Sequence, residues 1–222
     1  VNAFSNNLLE IEYPLNPSDV SFSSTGVRVK YFMSDVNDDR SYWEQYAPAN
    51  FEYDAVPLEV TLTVNGASAS HQVFTNGELL SNGNNRWKVV FPAYFTASSI
   101  FLHLSDNPFV VREEVYQGIT KSIPITVYSE STSLSDQAMA RAKNYLKELE
   151  STYGAFAHSK YVAYITSSGG GMEYCGATVT SLGALGHEMT HSWFARGVMP
   201  ANGNAGWIDE AVASWREDGN HR

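Results

Sequence analysis

His187-Glu188-Met189-Thr190-His191, followed after eighteen residues by Glu210 within Trp207-Ile208-Asp209-Glu210-Ala211, is the stretch on which the reading of this chain turns. Two histidines four apart on a helix project from one face, because a turn takes about 3.6 residues. Both imidazoles can then bind one zinc ion, while Glu188, one residue past the first histidine, faces the position of an attacking water. The third ligand has to come from another element, and Glu210 sits in a run that reads as a second helix. Two His, one Glu and an open fourth position make a catalytic arrangement rather than a structural one. The competing reading is an ordinary amphipathic helix with two hydrogen-bonded histidines, since a five-residue pattern carries little information. Two features favour the metal. The small, apolar run Ser181-Leu182-Gly183-Ala184-Leu185-Gly186 suits a helix buried behind a cleft, and Glu210 lies at a suitable spacing inside an apolar helical run.

Upstream of the histidines the pattern is strand, helix, strand. Residues 123–128 and Tyr161-Val162-Ala163-Tyr164-Ile165 read as strands. Between them Ser135 is the expected N-cap of a helix running to about Thr152. Ala138, Ala142, Tyr145, Leu146 and Leu149 recur in it at helical spacing, and Gly154 ends it. The second strand leads into the glycine run Gly169-Gly170-Gly171.

The first half of the chain has a different period. Leu58-Glu59-Val60-Thr61-Leu62-Thr63-Val64 alternates apolar and polar residues and ends at Asn65-Gly66, as a half-buried strand entering a turn does. Trp87-Lys88-Val89-Val90-Phe91 and Ser99-Ile100-Phe101-Leu102-His103-Leu104 behave similarly. Asn76-Gly77 and Ser81-Asn82-Gly83-Asn84-Asn85 are expected to supply positive-φ turns. Short strands with such turns predict an antiparallel sandwich or saddle. His71 and His103 fall here without carboxylate or cysteine company at ligand spacing, so they read as ordinary strand residues.

HEMTHSWFARGVMPANGNAGWIDEAVASW, from His187 to Trp215, resembles the zinc-binding segment of the aminopeptidase N family of gluzincin metallopeptidases. That family carries HExxH, eighteen residues, then Glu in a W-[LI]-[ND]-E-[GA] context. Gly170-Gly171-Met172-Glu173-Tyr174 resembles its G-[AG]-M-E-N exopeptidase motif, and Tyr46-Ala47-Pro48-Ala49-Asn50-Phe51-Glu52-Tyr53-Asp54 loosely resembles the end of its N-terminal β domain. The resemblance implies an α+β chain: a β sandwich or saddle over residues 1–114, then the upper lobe of a thermolysin-like catalytic domain over 115–222. It implies zinc as cofactor, held by His187, His191 and Glu210, with Glu188 as general base. The implied substrate is a peptide with a free N-terminus, its ammonium held by Glu173 and its backbone by Gly170, Gly171 and Met172. The competing reading of Glu173 is an exposed glutamate on a flexible glycine loop. Glu217, two turns beyond Glu210, is expected to hydrogen-bond a ligand histidine or to stand solvated. Asp209 reads as a helix-start or surface acid.

Tyr174 stands where the family usually has Asn, and Ala211 where it usually has Gly. The family's transition-state tyrosine and helical subdomain lie further downstream than Arg222. With a start at Val1-Asn2-Ala3-Phe4 that reads as processed or trimmed, the chain is expected to be a fragment, and by itself a weak or inactive enzyme. A catalytically silent zinc- or peptide-binding piece, or another gluzincin hydrolase, is therefore the alternative to an aminopeptidase.

Composition bounds the rest. With 222 residues, 43% hydrophobic and 17% charged, the chain can bury a real core. A net charge of −10 with no basic stripe argues against nucleic acid as partner. No run of eighteen apolar residues exists to form a membrane span. Cys175, the single cysteine, permits no disulfide within the chain and reads as a packing residue or an accessible thiol.

Overall fold

Strand-forming residues fill the first half as the alternation predicts. The computed structural model describes residues 12, 20–32, 55, 57–83, 85–96, 99–198 and 207–217. The expectations for residues 1–4 and 46–54 lie outside the described residues. In chain order the strands are β1 (Val20–Phe22), β2 (Val27–Phe32), β3 (Leu58–Thr63), β4 (Gln72–Thr75), β5 (Glu78–Gly83), β6 (Arg86–Phe91) and β7 (Phe101–Ser105). They make two antiparallel sheets, β1-β2-β7-β4 and β3-β6-β5. Val73, Leu102 and Leu104 of the first pack with Val89 and Phe91 of the second.

Gly66 and Asn85 have φ of 73° and 57°, as their turns require. Asn76-Gly77 differs from expectation: Gly77 is not among the positive-φ glycines, and the pair leads from one sheet to the other. What demands glycine there is space, since a Cβ would stand 2.7 Å from Val89 Cγ1. Asn76 ties the two halves of the chain together. Its amide nitrogen donates to the carbonyls of Ser99 and Cys175, and its oxygen accepts from Phe101 N–H.

The second half is a five-stranded sheet with helices on one face. Its elements are β8 (Val110–Gln117), β9 (Ser122–Ser129), α1 (Thr132–Tyr153), β10 (Tyr161–Thr166), β11 (Met172–Tyr174), β12 (Ala177–Ser181), α2 (Leu185–Phe194) and α3 (Trp207–Glu217). The sheet order is β11-β12-β10-β9-β8. β9, β10 and β12 run parallel, while β8 and β11 are antiparallel outer strands. A parallel strand covered on both faces has no polar side, which is why Tyr161-Val162-Ala163-Tyr164-Ile165 reads as an apolar run. One face packs on Ala138, Met139, Ala142, Leu146 and Leu149 of α1 with Leu185 and Met189 of α2. On the other, Tyr128, Val162 and Tyr174 meet Phe74 and Phe101 of the β sandwich.

The start of α1 corrects the sequence reading. Its N-cap is Ser131, whose hydroxyl accepts from Leu134 N–H. Ser135 lies inside the helix, buried, and donates to the Val110 carbonyl. Two serines four apart both satisfy a cap rule, and only tertiary contact separates them. Gly154, with φ of 95°, ends the helix as expected. β1, β2, β4, β5, β8 and β12 were not read from the sequence.

Candidate active site and metal centre

The parallel core fixes α2 behind β12, and α3 crosses it so that three side chains converge. Ligand atoms of His187, His191 and Glu210 all lie within 4.8 Å of one another. His187 Nε2 is 3.3 Å from one oxygen of Glu210, and His191 Nε2 is 3.8 Å from the other. The two rings, one helical turn apart, have centroids 4.9 Å apart. Both Nε2 atoms therefore point at the carboxylate that the eighteen-residue gap delivers.

The outer nitrogens have carboxylates of their own. His187 Nδ1 lies 3.2 Å from Glu217 Oε2, the contact expected of Glu217. His191 Nδ1 lies 3.6 Å from Asp209 Oδ2, and Asp209 also accepts from Glu210 N–H at the start of α3. Asp209 is thus both a helix-start acid and a neighbour of the second histidine.

His191 is fully buried and neither ring nitrogen has a hydrogen-bond partner among the described residues. Burial holds its pKa below the ordinary histidine value, so the ring is neutral and its lone pair is available. A buried imidazole left so is costly unless something accepts that lone pair. A nitrogen, nitrogen, oxygen donor set is one that divalent zinc takes readily. The residues fit a metal ion.

Glu188 projects from the same helix into a carboxylate-rich pocket. Burial first, then the charges of Glu173, Glu210 and Glu217, push its pKa up to about 8, against the opposing effect of Arg196. Ligand atoms of Glu173, Glu188 and His191 also lie within 4.8 Å of one another. Gly171 passes directly over Glu188: a Cβ there would stand 2.2 Å from Glu188 Oε1. A Cβ on Gly170 would meet nothing within 4 Å, and Gly169 adopts φ of 106°. Met172 and Glu173 lie on β11, an outer strand of the sheet among the described residues.

Glu173 is not the exposed loop glutamate of the competing reading. It is 7% exposed and accepts from Arg196 Nη2 at 3.0 Å, with Arg196 itself 4% exposed. Sequence reasoning missed Arg196, because nothing in Phe194-Ala195-Arg196-Gly197 signals that a guanidinium turns inward. Cys175 is a packing residue, 2% exposed, with burial raising its thiol pKa. His71 and His103 bond locally, to Val27 N–H and to the Tyr128 hydroxyl, and join no metal-ligand group among the described residues.

Solved structures share this architecture. The chain resembles an M1 zinc metallopeptidase from Deinococcus radiodurans, with a TM-score of 0.61 and 18% identity over 78% of this chain and 42% of that one. Another structure of that peptidase, a mutant bound to a Tyr-Ser-Ala substrate, matches with a TM-score of 0.59 and 17% identity over 75% and 40%. Legionella pneumophila aminopeptidase A in complex with aspartic acid matches with a TM-score of 0.67 and 15% identity, over 89% of this chain and 26% of that one. The fold is that of the M1 peptidases. The chain spans less than half the length of each of these structures. No protein-family model matches it, nor does any curated protein. Among the described residues no helix is long and apolar enough to cross a membrane.

Proposed function

We propose that this chain carries the zinc centre of an aminopeptidase, with His187, His191 and Glu210 as ligands and Glu188 as general base. The observation that carries the reading is the convergence of those three donors from two helices, with His191 buried and without a hydrogen-bond partner among the described residues. Zinc, when bound, lowers the pKa of a water toward about 7 and polarises a scissile carbonyl. A dication held there would also favour the ionised form of Glu188 that a base needs.

The residues of the chain do the rest. Glu188 takes the proton of the attacking water and passes it to the leaving amine. Glu217 accepts from His187 Nδ1–H, which leaves Nε2 as the donor atom facing Glu210. Glu173 holds the substrate's α-ammonium, while Arg196 fixes one of its oxygens. Gly170, Gly171 and Met172 let an extended substrate backbone lie along β11, in the manner of an added strand. A division into a β domain and a catalytic lobe accompanies this reading, with the boundary before Val110 rather than at residue 114, because β8 pairs with β9 along its whole length.

A non-cleaving zinc- or peptide-binding protein is the second reading. Hydrolysis of one peptide series with free and with acetylated N-termini, under matched zinc, separates the possibilities. Slow cleavage of free N-termini alone is the expected result. Equal cleavage of both indicates another hydrolase, and zinc-dependent peptide binding without cleavage indicates the second reading.

A further inference from the structure

Glu210 and Glu217 reach His187 only if α3 is seated correctly against α2, and neither carboxylate can do the seating. Their side chains are 62% and 46% exposed. The buried residues of α3 are Ala213 and Arg216, so a guanidinium is the largest group by which this helix is anchored. Arg216 Nε donates to one oxygen of Glu148 at 3.0 Å and Nη2 to the other at 2.9 Å, a two-pronged pair. Its guanidinium also lies 4.9 Å from the ring centroid of Tyr145. Both partners belong to α1. Gly186, the α2 residue just before His187, completes the junction: a Cβ there would stand 2.9 Å from both Arg216 Nη1 and Tyr145 Cζ.

We infer that Arg216 is a positioning residue for the metal site. With Glu148, Tyr145 and Gly186 it joins three helices, sets the rotation of α3, and so fixes how closely Glu210 approaches the two histidines. The inference rests on the zinc reading above and concerns affinity for the ion rather than the chemistry. A flat, forked guanidinium is bound at two atoms and stacked on a ring, so it resists both sliding and rotation of the helix. A lysine, bound at a point on a flexible stem, resists neither.

The test is zinc affinity, measured by competition with a chromophoric chelator, beside apo-protein Tm. Compared are the natural chain, Arg216→Met, Arg216→Lys, Glu148→Gln and Ala213→Gly. The last loosens α3 without touching the fork. Expected is a loss of about 10–100-fold in affinity for Arg216→Met, the range typical of groups that orient metal ligands. Glu148→Gln, which keeps shape and one acceptor, should lose affinity in the same direction and serves if Arg216→Met does not fold. Arg216→Lys should not restore it. Ala213→Gly should lower Tm with affinity within about threefold of the natural chain. Equal affinity of Arg216→Met and the natural chain overturns the inference while leaving the zinc reading standing. So does an affinity loss in Ala213→Gly matching that of Arg216→Met, because any loosening of α3 would then suffice. Absence of zinc binding by the natural chain instead defeats the reading on which the inference rests.

Discussion

Glu188 and the glycine above it make the site sensitive at the level of single atoms. Glu188→Gln keeps the shape and removes the base, so turnover should fall by at least about two orders of magnitude. Zinc content should stay unchanged, because in the proposed centre that side chain is not a ligand. Metal analysis beside the rate decides it, and parallel loss of both would make Glu188 a ligand. Gly171→Ala tests the same carboxyl from outside. The added Cβ would lie 2.2 Å from Glu188 Oε1, so the carboxyl or the strand has to move. A misplacement on the order of 1 Å costs about 10²-fold in rate, and a drop of that size is expected with zinc affinity within a few-fold. An unchanged rate would show that the carboxyl has room to shift without consequence. Residue identity was the most legible part of the candidate site, since His187, Glu188, His191 and Glu210 announce themselves by spacing. Arg196 and Asp209 did not, because inward rotation of a charged side chain is decided by packing that no local pattern records.

At the scale of elements, β7 carries a buried titratable group into the aromatic layer between the sheets. Burial first, then the charge of Lys30, push the pKa of His103 down to about 3. The folded chain keeps this ring neutral, while the unfolded chain protonates it near pH 6.5. The unfolded state binds more protons between those values, so stability is fully present above about pH 6.5 and is lost as pH falls toward 3. Urea unfolding at stepped pH should show a slope of about 1.4 kcal/mol per pH unit from this ring alone, within that window. His158, pushed down to about 4 chiefly by burial, adds to it with the same sign. His103→Gln should flatten the profile by one proton's share, and an unchanged slope would show that the ring titrates normally in the folded chain. The elements themselves were legible where a single period ran for several residues, as in Leu58-Glu59-Val60-Thr61-Leu62-Thr63 and in α1. They were lost where charge broke the alternation: Val110-Val111-Arg112-Glu113-Glu114-Val115 forms β8 through its pairing with β9, and its own pattern does not demand a strand. The N-cap of α1 went to Ser131 because Ser135 was claimed by the Val110 carbonyl, a contact set by tertiary structure.

For the whole molecule, the proposed zinc joins α2 to α3, so binding should stabilise the folded chain as a unit. Zinc held at about 100 times its dissociation constant adds about 2.7 kcal/mol. For a chain of this size that is roughly 5–10 °C in Tm. The rise should reverse with a chelator and vanish in His191→Ala; a rise that persists in that variant would place the ion elsewhere. The α+β architecture was legible from the change of period along the chain. How the parts join was not, since Asn76 bridges to Ser99, Phe101 and Cys175 through contacts distant in sequence. The proposed chemistry depends above all on one metal between two helices. Anomalous diffraction across the zinc edge, on crystals of the purified chain with zinc added, tests this directly. A single peak between His187, His191 and Glu210 is the predicted result; no peak, or one on other side chains, would contradict it.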